Sequence, residues 1–188
     1  MEEKLKQEPR EVIKIVLFGP ESTGKTTLAK ELAKHFNTNW VPEYMRTYLE
    51  AKWNAYNRSC DIEDLKAIAI GQMDHENLLS KTANRVLFCD TNLLEIKVYS
   101  QVYYQGYCDP TIAKYAEENA YDLYFLTYID VPWEADVLRD KPFEREQMYA
   151  NFKKALQDSN KPFVVLKGTL EERLTFAIRH VEKLLNKS

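Results

Sequence analysis

One octapeptide, GPESTGKT at residues 19–26, constrains the fold of this chain more than any other feature. It matches the pattern G-x-x-x-x-G-K-[ST], in which a glycine-rich loop arranges backbone N–H groups around phosphate oxygens. An apolar run, VIKIVLF at 12–18, precedes it, and Leu28, Leu32 and Phe36 follow at helical spacing. A strand, a phosphate-binding loop and a helix in this order predict an anion site at the start of that helix. A chance match of the motif alone is the weaker alternative.

The motif assigns roles to individual side chains. Lys25 supplies a mobile cation to the β- and γ-phosphates of a nucleotide, and the Thr26 hydroxyl can bind Mg²⁺. ATP and Mg²⁺ are therefore the expected cofactors. The residues expected to bind the nucleotide are Gly19, Glu21, Ser22, Thr23, Gly24, Lys25, Thr26 and Thr27.

Short apolar runs alternate with helical patterns along the rest of the chain. Further strands are predicted at 39–42, 86–89, 124–129 and 163–166, and helices at 25–36, 44–52, 61–82, 144–158 and 169–186, with one or two more between 91 and 120. This alternation predicts an α/β fold of the P-loop NTPase type: a parallel five-stranded sheet with helices on both faces, and a lid. We expect residues 1–11 to be a loose N-terminal tail and 12–188 to be a single P-loop kinase domain.

The composition and net charge limit the kinds of partner that the chain can be expected to bind. A formal net charge of −3 gives no chain-wide electrostatic reason to bind nucleic acid or an anionic membrane. The charged N-terminus is unlike a signal peptide, and no apolar run is long enough to cross a bilayer. Cys60, Cys89 and Cys108 show no C-x-x-C spacing, which is typical of reduced thiols. We expect a cytoplasmic protein with a small-molecule substrate, binding neither nucleic acid nor membrane.

Two acids follow predicted strands, at the edge where ligands of parallel sheets bind. Asp90 ends the third strand and can bind Mg²⁺, or can cap the next helix. Thr91 follows it, where motor ATPases commonly carry a second acid that activates water. Glu43 ends the second strand, placed to accept a proton from an attacking hydroxyl or to bind sugar hydroxyls. The sequence does not decide whether Asp90 or Glu43 orients the attacking hydroxyl of the acceptor.

The acceptor side has further candidates on the helices that follow. Arg46 shares a helix face with Glu43 and could bind substrate or the transferring phosphate. The alternative is a surface ion pair between these two residues. Gln72 and Glu76 form a polar i,i+4 pair that lines the cleft or is simply solvated.

The stretch VPWEADVLRDKPFERE after the fourth strand has the charges of a lid. Arg139, Lys141 and Arg145 could close over the phosphates and neutralise charge in the transition state, although a solvated charged loop is the alternative. Trp133 and Tyr44 are among the aromatic residues that could stack on a flat substrate. The predicted catalytic residues are Lys25, Glu43, Asp90, Arg139 and Arg145, and the predicted substrate-binding residues are Glu43, Tyr44, Arg46, Asp90 and Trp133.

The segments GPESTGKTT, PEYMRTYL, AIGQMDHE, RVLFCDT, IDVPWEADVLRDKPFER and KGTLEERLTFAIRHV resemble, as a set, the ribosylnicotinamide (nicotinamide riboside) kinase domain of bifunctional bacterial NAD-salvage proteins, within the P-loop kinase superfamily. The resemblance covers about residues 12–183. It implies ATP-dependent phosphorylation of the 5′-hydroxyl of nicotinamide riboside to give nicotinamide mononucleotide. Lys25 and Thr26 fall on the family's phosphate and magnesium positions, Glu43 and Asp90 on its strand-end acids, and Arg139 and Arg145 on its lid.

One departure from the family bears on function. The bifunctional proteins also carry an adenylyltransferase domain with an H-x-G-H motif, which this sequence lacks, so kinase activity alone is expected. Two alternatives stay open: a kinase for another small metabolite such as a deoxynucleoside, and a nucleotide-binding regulatory module. A P-loop motor is the least favoured hypothesis.

Overall fold

Five parallel strands form the centre of the molecule, in a computed structural model that describes residues 2–9, 11–133 and 144–187. The strands are β1 (Ile13–Phe18), β2 (Trp40–Val41), β3 (Val86–Asp90), β4 (Leu123–Thr127) and β5 (Phe163–Leu166). Their order across the sheet is β2-β3-β1-β4-β5, and every neighbouring pair is parallel. The predicted five-stranded parallel sheet is confirmed.

Helices cover both faces of this sheet, as predicted. They are α1 (Lys25–His35), α2 (Tyr44–Tyr56), α3 (Asp64–Ser80), α4 (Leu93–Tyr103), α5 (Pro110–Glu118), α6 (Arg145–Asp158) and α7 (Leu170–Leu185). Alternate residues of β1 point to opposite faces: Ile15 packs in one core with α1 and α7, and Val16 and Phe18 pack in the other with α3 to α6. Both faces of the sheet are buried, which explains why its strands read as nearly continuous apolar runs.

The boundaries of α2 and α3 differ from the prediction. The helix predicted over 44–52 is longer in the structure, because α2 continues to Tyr56 and ends where Asn57 takes a left-handed conformation (φ 52°). The helix predicted from residue 61 begins later, at Asp64, and the Asp61 N–H donates to the Asp64 carboxylate at 2.6 Å. Lys52 also forms ion pairs with Asp61 and Asp64. This local network fixes the turn between α2 and α3, and the spacing of residues in the sequence does not reveal it.

The N-terminal segment also differs from the loose tail that the sequence predicts. Residues Glu2–Leu5 form a 3₁₀ turn, and Leu5 is 1% exposed in the core. The Gln7 side chain donates to Glu76 at 2.8 Å, and the Glu8 N–H donates to the Asn77 side chain at 2.9 Å. The burial of Leu5 and these amide hydrogen bonds hold the segment against the rest of the protein, although its charged residues predict a solvated tail.

The predicted lid lies mostly outside the described residues, since Arg139, Lys141 and the rest of 134–143 are not among them. Across the described part of the chain, none of the helices combines the length and the apolar character needed to span a membrane.

Candidate active site

The chain leaves β1 through a loop that only glycine can begin. Gly19 has φ +140°, and a Cβ there would lie 2.7 Å from the hydroxyl oxygen of Thr127. The Thr23 hydroxyl donates to the Pro20 carbonyl at 2.7 Å and pairs with the Thr127 hydroxyl at 2.7 Å. Gly24, with φ +82°, then starts α1. The loop therefore wraps tightly ahead of a helix N-terminus, where free backbone N–H groups favour an anion.

Lys25 is the cation at the centre of this loop and is 8% exposed. Its ammonium donates to the carbonyls of Gly19 at 2.7 Å and Pro20 at 3.0 Å, and it lies 3.3 Å from Glu95 Oε1. Burial lowers the pKa of Lys25, but neighbouring carboxylates, Glu95 foremost, outweigh burial and leave the pKa raised. Lys25 is therefore a charged group that a phosphate can recruit.

Thr26 and Asp90 meet at the carboxyl end of β3. The Thr26 hydroxyl donates to Asp90 Oδ2 at 2.5 Å. Burial raises the pKa of Asp90 to about 6, with the charge of Glu43 as the next cause. The alternative role of Asp90 as a helix cap is wrong, because Asn92 caps α4 by accepting from the Glu95 N–H. The two predicted metal ligands are thus adjacent, and their hard oxygen atoms suit Mg²⁺.

Glu43 stands at the start of α2 and faces the same edge of the sheet. It lines a cleft of about 500 Å³ together with the loop residues 21–28, Met45 and Arg46. Arg46 forms an i,i+4 ion pair with Glu50 at 3.0 Å, with both side chains exposed. The structure therefore places Glu43 and Arg46 on the cleft and gives Arg46 a surface partner one turn along α2.

Tyr44 and Gln72 fix the position of α2 against α3. The Tyr44 N–H donates to the Gln72 side chain at 2.8 Å. The Tyr44 ring packs over Gly71, where a Cβ would come within 2.1 Å of it, and its centroid lies 5.1 Å from that of His75. Tyr44 thus has packing partners in α3, and its predicted role in substrate binding stays a prediction. Gln72 is 1% exposed, so it is not a solvated surface residue.

Arg145 reaches the phosphate-binding loop from the start of α6. Its guanidinium donates to the Ser22 carbonyl at 3.2 Å and to the Val131 carbonyl at 3.0 Å. It also lies 5.7 Å from the centroid of the Trp133 ring. The structure therefore brings Arg145 and Trp133 together beside the loop, whereas Arg139 lies outside the described residues.

Sequence reasoning missed Glu95, which sits in the first turn of α4. Its side chain is 2% exposed, and burial raises the pKa of its carboxyl group from 4.5 to about 8. An acid in the first turn of a helix is common on exposed surfaces, where it complements the helix dipole. Its position five residues after a strand-end acid was the only signal available.

Arg173 of α7 was also missed and is 2% exposed. It donates to the carbonyl of Thr23 at 2.8 Å and to that of Gly168 at 3.0 Å, and it forms an ion pair with Asp130. A buried arginine paired in this way ties α7 and the end of β4 to the phosphate-binding loop. Nothing in the amphipathic pattern of 169–186 separates it from its exposed charged neighbours.

Comparison with known sequences agrees with this geometry. The family described as an AAA domain matches residues 14–173. The trifunctional NAD biosynthesis/regulator protein NadR of Salmonella typhimurium is 30% identical over 155 residues, and that of Escherichia coli is 30% identical over 152 residues. These alignments cover 81% and 80% of this chain, but 38% and 37% of the relatives. The chain thus spans well under half the length of these relatives.

Solved structures share the fold. A NadR protein in complex with NR has a TM-score of 0.74 at 23% identity, covering 92% of this chain and 51% of the other. A NadR protein in complex with NAD and AMP-PNP has a TM-score of 0.76 at 22% identity, with 94% and 50% covered. A deoxyadenosine kinase from M. mycoides has a TM-score of 0.66 at 14% identity, with 91% and 100% covered. The resemblance to NAD-salvage proteins and the P-loop kinase fold are both confirmed.

Proposed function

The chain belongs to the AAA-domain family of P-loop proteins, and we propose that it is an ATP-dependent kinase that phosphorylates the 5′-hydroxyl of nicotinamide riboside, giving nicotinamide mononucleotide. The observation that carries the proposal is the convergence of Lys25, the Thr26–Asp90 pair and Glu43 at one edge of the sheet. The substrate class is supported by the NadR relatives, which are NAD biosynthesis proteins. It is also supported by a NadR protein of the same fold that was solved with NR.

In this proposal ATP lies along the loop from Gly19 to Thr27. The backbone N–H groups and the start of α1 hold its phosphates, and Lys25 moves from the carbonyls of Gly19 and Pro20 to the β- and γ-phosphates. Arg145, which already contacts the loop at Ser22, adds positive charge beside the transferring group. Arg139 remains a proposed lid residue on the strength of the sequence alone.

Thr26 and Asp90 are the proposed ligands of Mg²⁺. In the described part of the chain, Asp90 Oδ1 is buried and makes no hydrogen bond, while Oδ2 accepts from Thr26. One unused carboxylate oxygen beside a hydroxyl fits a cation that takes its remaining ligands from phosphates and water. When bound, Mg²⁺ neutralises negative charge on the phosphates.

Glu43 is the proposed acceptor of the proton from the 5′-hydroxyl. Asp90 is engaged with Thr26 and is assigned to the metal, which leaves Glu43 as the strand-end acid on the cleft wall. A carboxylate on the cleft wall also favours a cationic nicotinamide ring over a neutral base. Trp133 is the proposed stacking partner, and Tyr44 and Arg46 are weaker candidates for contacts with the substrate.

A comparison of acceptors tests the proposal. We expect kcat/KM for nicotinamide riboside to exceed the values for uridine, cytidine, thymidine and deoxyadenosine under saturating ATP and Mg²⁺. Glu43→Gln should lower kcat/KM for the acceptor while leaving the binding of AMP-PNP intact, because it changes the acceptor side alone. A higher value for another nucleoside would leave a kinase with a different substrate. Absence of product with every acceptor would favour a regulatory module.

A further inference from the structure

Buried polar atoms without hydrogen bonds gather around the carboxyl ends of the strands. Within the described residues, six such side-chain atoms occur: Gln72 Nε2, Asp90 Oδ1, Glu95 Oε1 and Oε2, Tyr99 OH and Arg145 Nε. An unpaired buried polar group destabilises a folded protein, so each one calls for an explanation. Asp90 and Arg145 already have proposed ligands in the metal and the phosphates. Glu95 and Tyr99, both of α4, do not.

These two side chains lie on one face of α4. Glu95, Tyr99 and Tyr103 are spaced four residues apart, so they stack along the helix surface. Glu95 is at the phosphate end, since its Oε1 lies 3.3 Å from the Lys25 ammonium. Tyr99 and Tyr103 are at the other end, where they line a small cavity with Pro20, Trp133 and Arg145, among others. The three side chains thus follow one helix face, from the Lys25 ammonium to the small cavity beside Trp133.

On the premise of the kinase function proposed above, we propose that Glu95 and Tyr99 bind the sugar hydroxyls of the acceptor nucleoside. A sugar hydroxyl can donate to a carboxyl oxygen and accept from a phenol, which satisfies both orphaned groups at once. The side chains are 2% and 8% exposed, so the hydrogen bonds would form away from bulk water. The acceptor would then lie between α4 and the phosphate-binding loop, with its sugar toward Lys25 and its base toward Trp133.

The protonation states of Glu95 and Tyr99 support this placement of the sugar hydroxyls. Burial raises the pKa of Glu95 to about 8, and burial also raises the pKa of Tyr99 well above its ordinary value. Both groups therefore carry a proton near neutral pH and can donate as well as accept hydrogen bonds. A neutral carboxyl group also avoids repelling the phosphates that Lys25 binds.

A purely structural role for Glu95 is the competing explanation, in which it only holds Lys25. The 3.3 Å contact is an ion pair without hydrogen-bond geometry, and the lysine donates to two carbonyls instead. The two explanations predict different losses. A residue that positions Lys25 affects nucleotide binding, whereas a residue that binds the sugar affects the acceptor.

The test measures binding by calorimetry, in the presence of AMP-PNP and Mg²⁺, for nicotinamide riboside and its 2′-, 3′- and 5′-deoxy forms. In the wild type we expect removal of at least one hydroxyl to weaken binding about tenfold, the value of one hydrogen bond. In Glu95→Ala or Tyr99→Phe that penalty should shrink to within about twofold. Glu95→Gln should keep part of it, because an amide can also donate and accept. Glu118→Ala, on the exposed end of α5, is the control and should keep all of it.

The inference is overturned if every deoxy penalty persists unchanged in Glu95→Ala and Tyr99→Phe, if the wild type shows no penalty, or if AMP-PNP binding falls as much as acceptor binding. Melting curves identify variants that fail to fold, and Tyr99→Phe, which removes one oxygen, remains informative if Glu95→Ala unfolds. Should nicotinamide riboside not bind the wild type, the proposed substrate fails instead. The same comparison is then made with the best nucleoside of the acceptor panel and its deoxy forms.

Discussion

Two clusters of buried polar residues differ in whether the hydrogen-bonding groups of a buried glutamate are satisfied. We expect this difference to separate residues that stabilise the fold from residues that serve function. In the closed cluster, defined as Gln7, Lys14, Glu76 and Tyr121, the Glu76 carboxylate accepts from Gln7 at 2.8 Å, Lys14 at 2.9 Å and Tyr121 at 2.7 Å. The open cluster, defined as Lys25, Asp90, Glu95 and Tyr99, also pairs a buried lysine with a buried glutamate, yet Glu95 makes no hydrogen bond within the described residues.

The consequence of burying a charged group depends on whether all its hydrogen bonds are made. A saturated network rigidifies the fold, and here it joins the N-terminal segment, α3 and the start of β1. We expect the unsaturated network at the carboxyl edge of the sheet to keep free hydrogen-bonding atoms for the proposed substrate and metal. Damage to the closed cluster should therefore appear as lost stability, and damage to the open cluster as lost catalysis.

The largest expected effect comes from breaking the closed cluster. Glu76→Ala should lower the free energy of unfolding by about 3–5 kcal/mol, because it leaves the Lys14 ammonium buried without a counter-charge. Urea unfolding followed by circular dichroism measures it, and Glu118→Ala serves as an exposed control expected to change stability by less than about 0.5 kcal/mol. A loss below about 1 kcal/mol for Glu76→Ala would mean that the closed cluster is not a source of stability.

Lys25→Ala should have the next largest effect, and on activity. Loss of the charge that stabilises the transferring phosphate should reduce kcat/KM by about a hundredfold or more, while the free energy of unfolding stays within about 1 kcal/mol of the wild type. Lys34→Ala, an exposed lysine of the same helix, is the matched control for steady-state assays. Near-normal turnover in Lys25→Ala would remove the open cluster from catalysis.

Stability should also depend on pH through Glu95 of the open cluster. Burial raises the pKa of Glu95 from 4.5 to about 8, so between these values the folded state holds a proton that the unfolded state releases. The free energy of unfolding should then fall as pH rises through this window, by up to about 1.4 kcal/mol per pH unit. Glu95→Gln cannot titrate and should lack this contribution. Parallel pH profiles for the two proteins, measured by urea unfolding, would contradict the burial argument.

An exposed ion pair provides the smallest expected effect. Glu50→Ala removes one ion-pair partner of Arg46 on the surface of α2, where both side chains are solvated. It should change the free energy of unfolding by less than about 0.5 kcal/mol, because solvent and salt screen such pairs. A loss of 2 kcal/mol or more would show that pairing matters here irrespective of burial.

The fold and half of the site follow from patterns that are local in sequence. The phosphate-binding motif, the alternation of strands and helices, and the acids at strand ends place Lys25, Thr26, Glu43 and Asp90 correctly at one edge of the sheet. These features are readable because a parallel sheet brings the ends of all its strands together. The cap of α5 is also local in sequence, since the Asp109 carboxylate accepts from the backbone N–H groups of Thr111 and Ile112.

The missed features depend on partners that are distant in sequence. Arg173 is buried because the carbonyl of Thr23 and the carboxylate of Asp130 receive it, and Leu5 is buried because α3 and α5 form its pocket. Composition suggests solvent for both segments. Glu95 is the third case, since only the folded packing of α4 against the loop shows that its carboxyl group is enclosed.

We propose that the open cluster serves the transfer of phosphate from ATP to a nucleoside hydroxyl. The most direct measurement follows ADP and nicotinamide mononucleotide together by chromatography, with and without nicotinamide riboside and with and without Mg²⁺. We predict that the two products form in equal amounts, and that omitting either the acceptor or the metal abolishes both. Rapid formation of ADP without an acceptor, or consumption of ATP with no phosphorylated nucleoside, would contradict the claim.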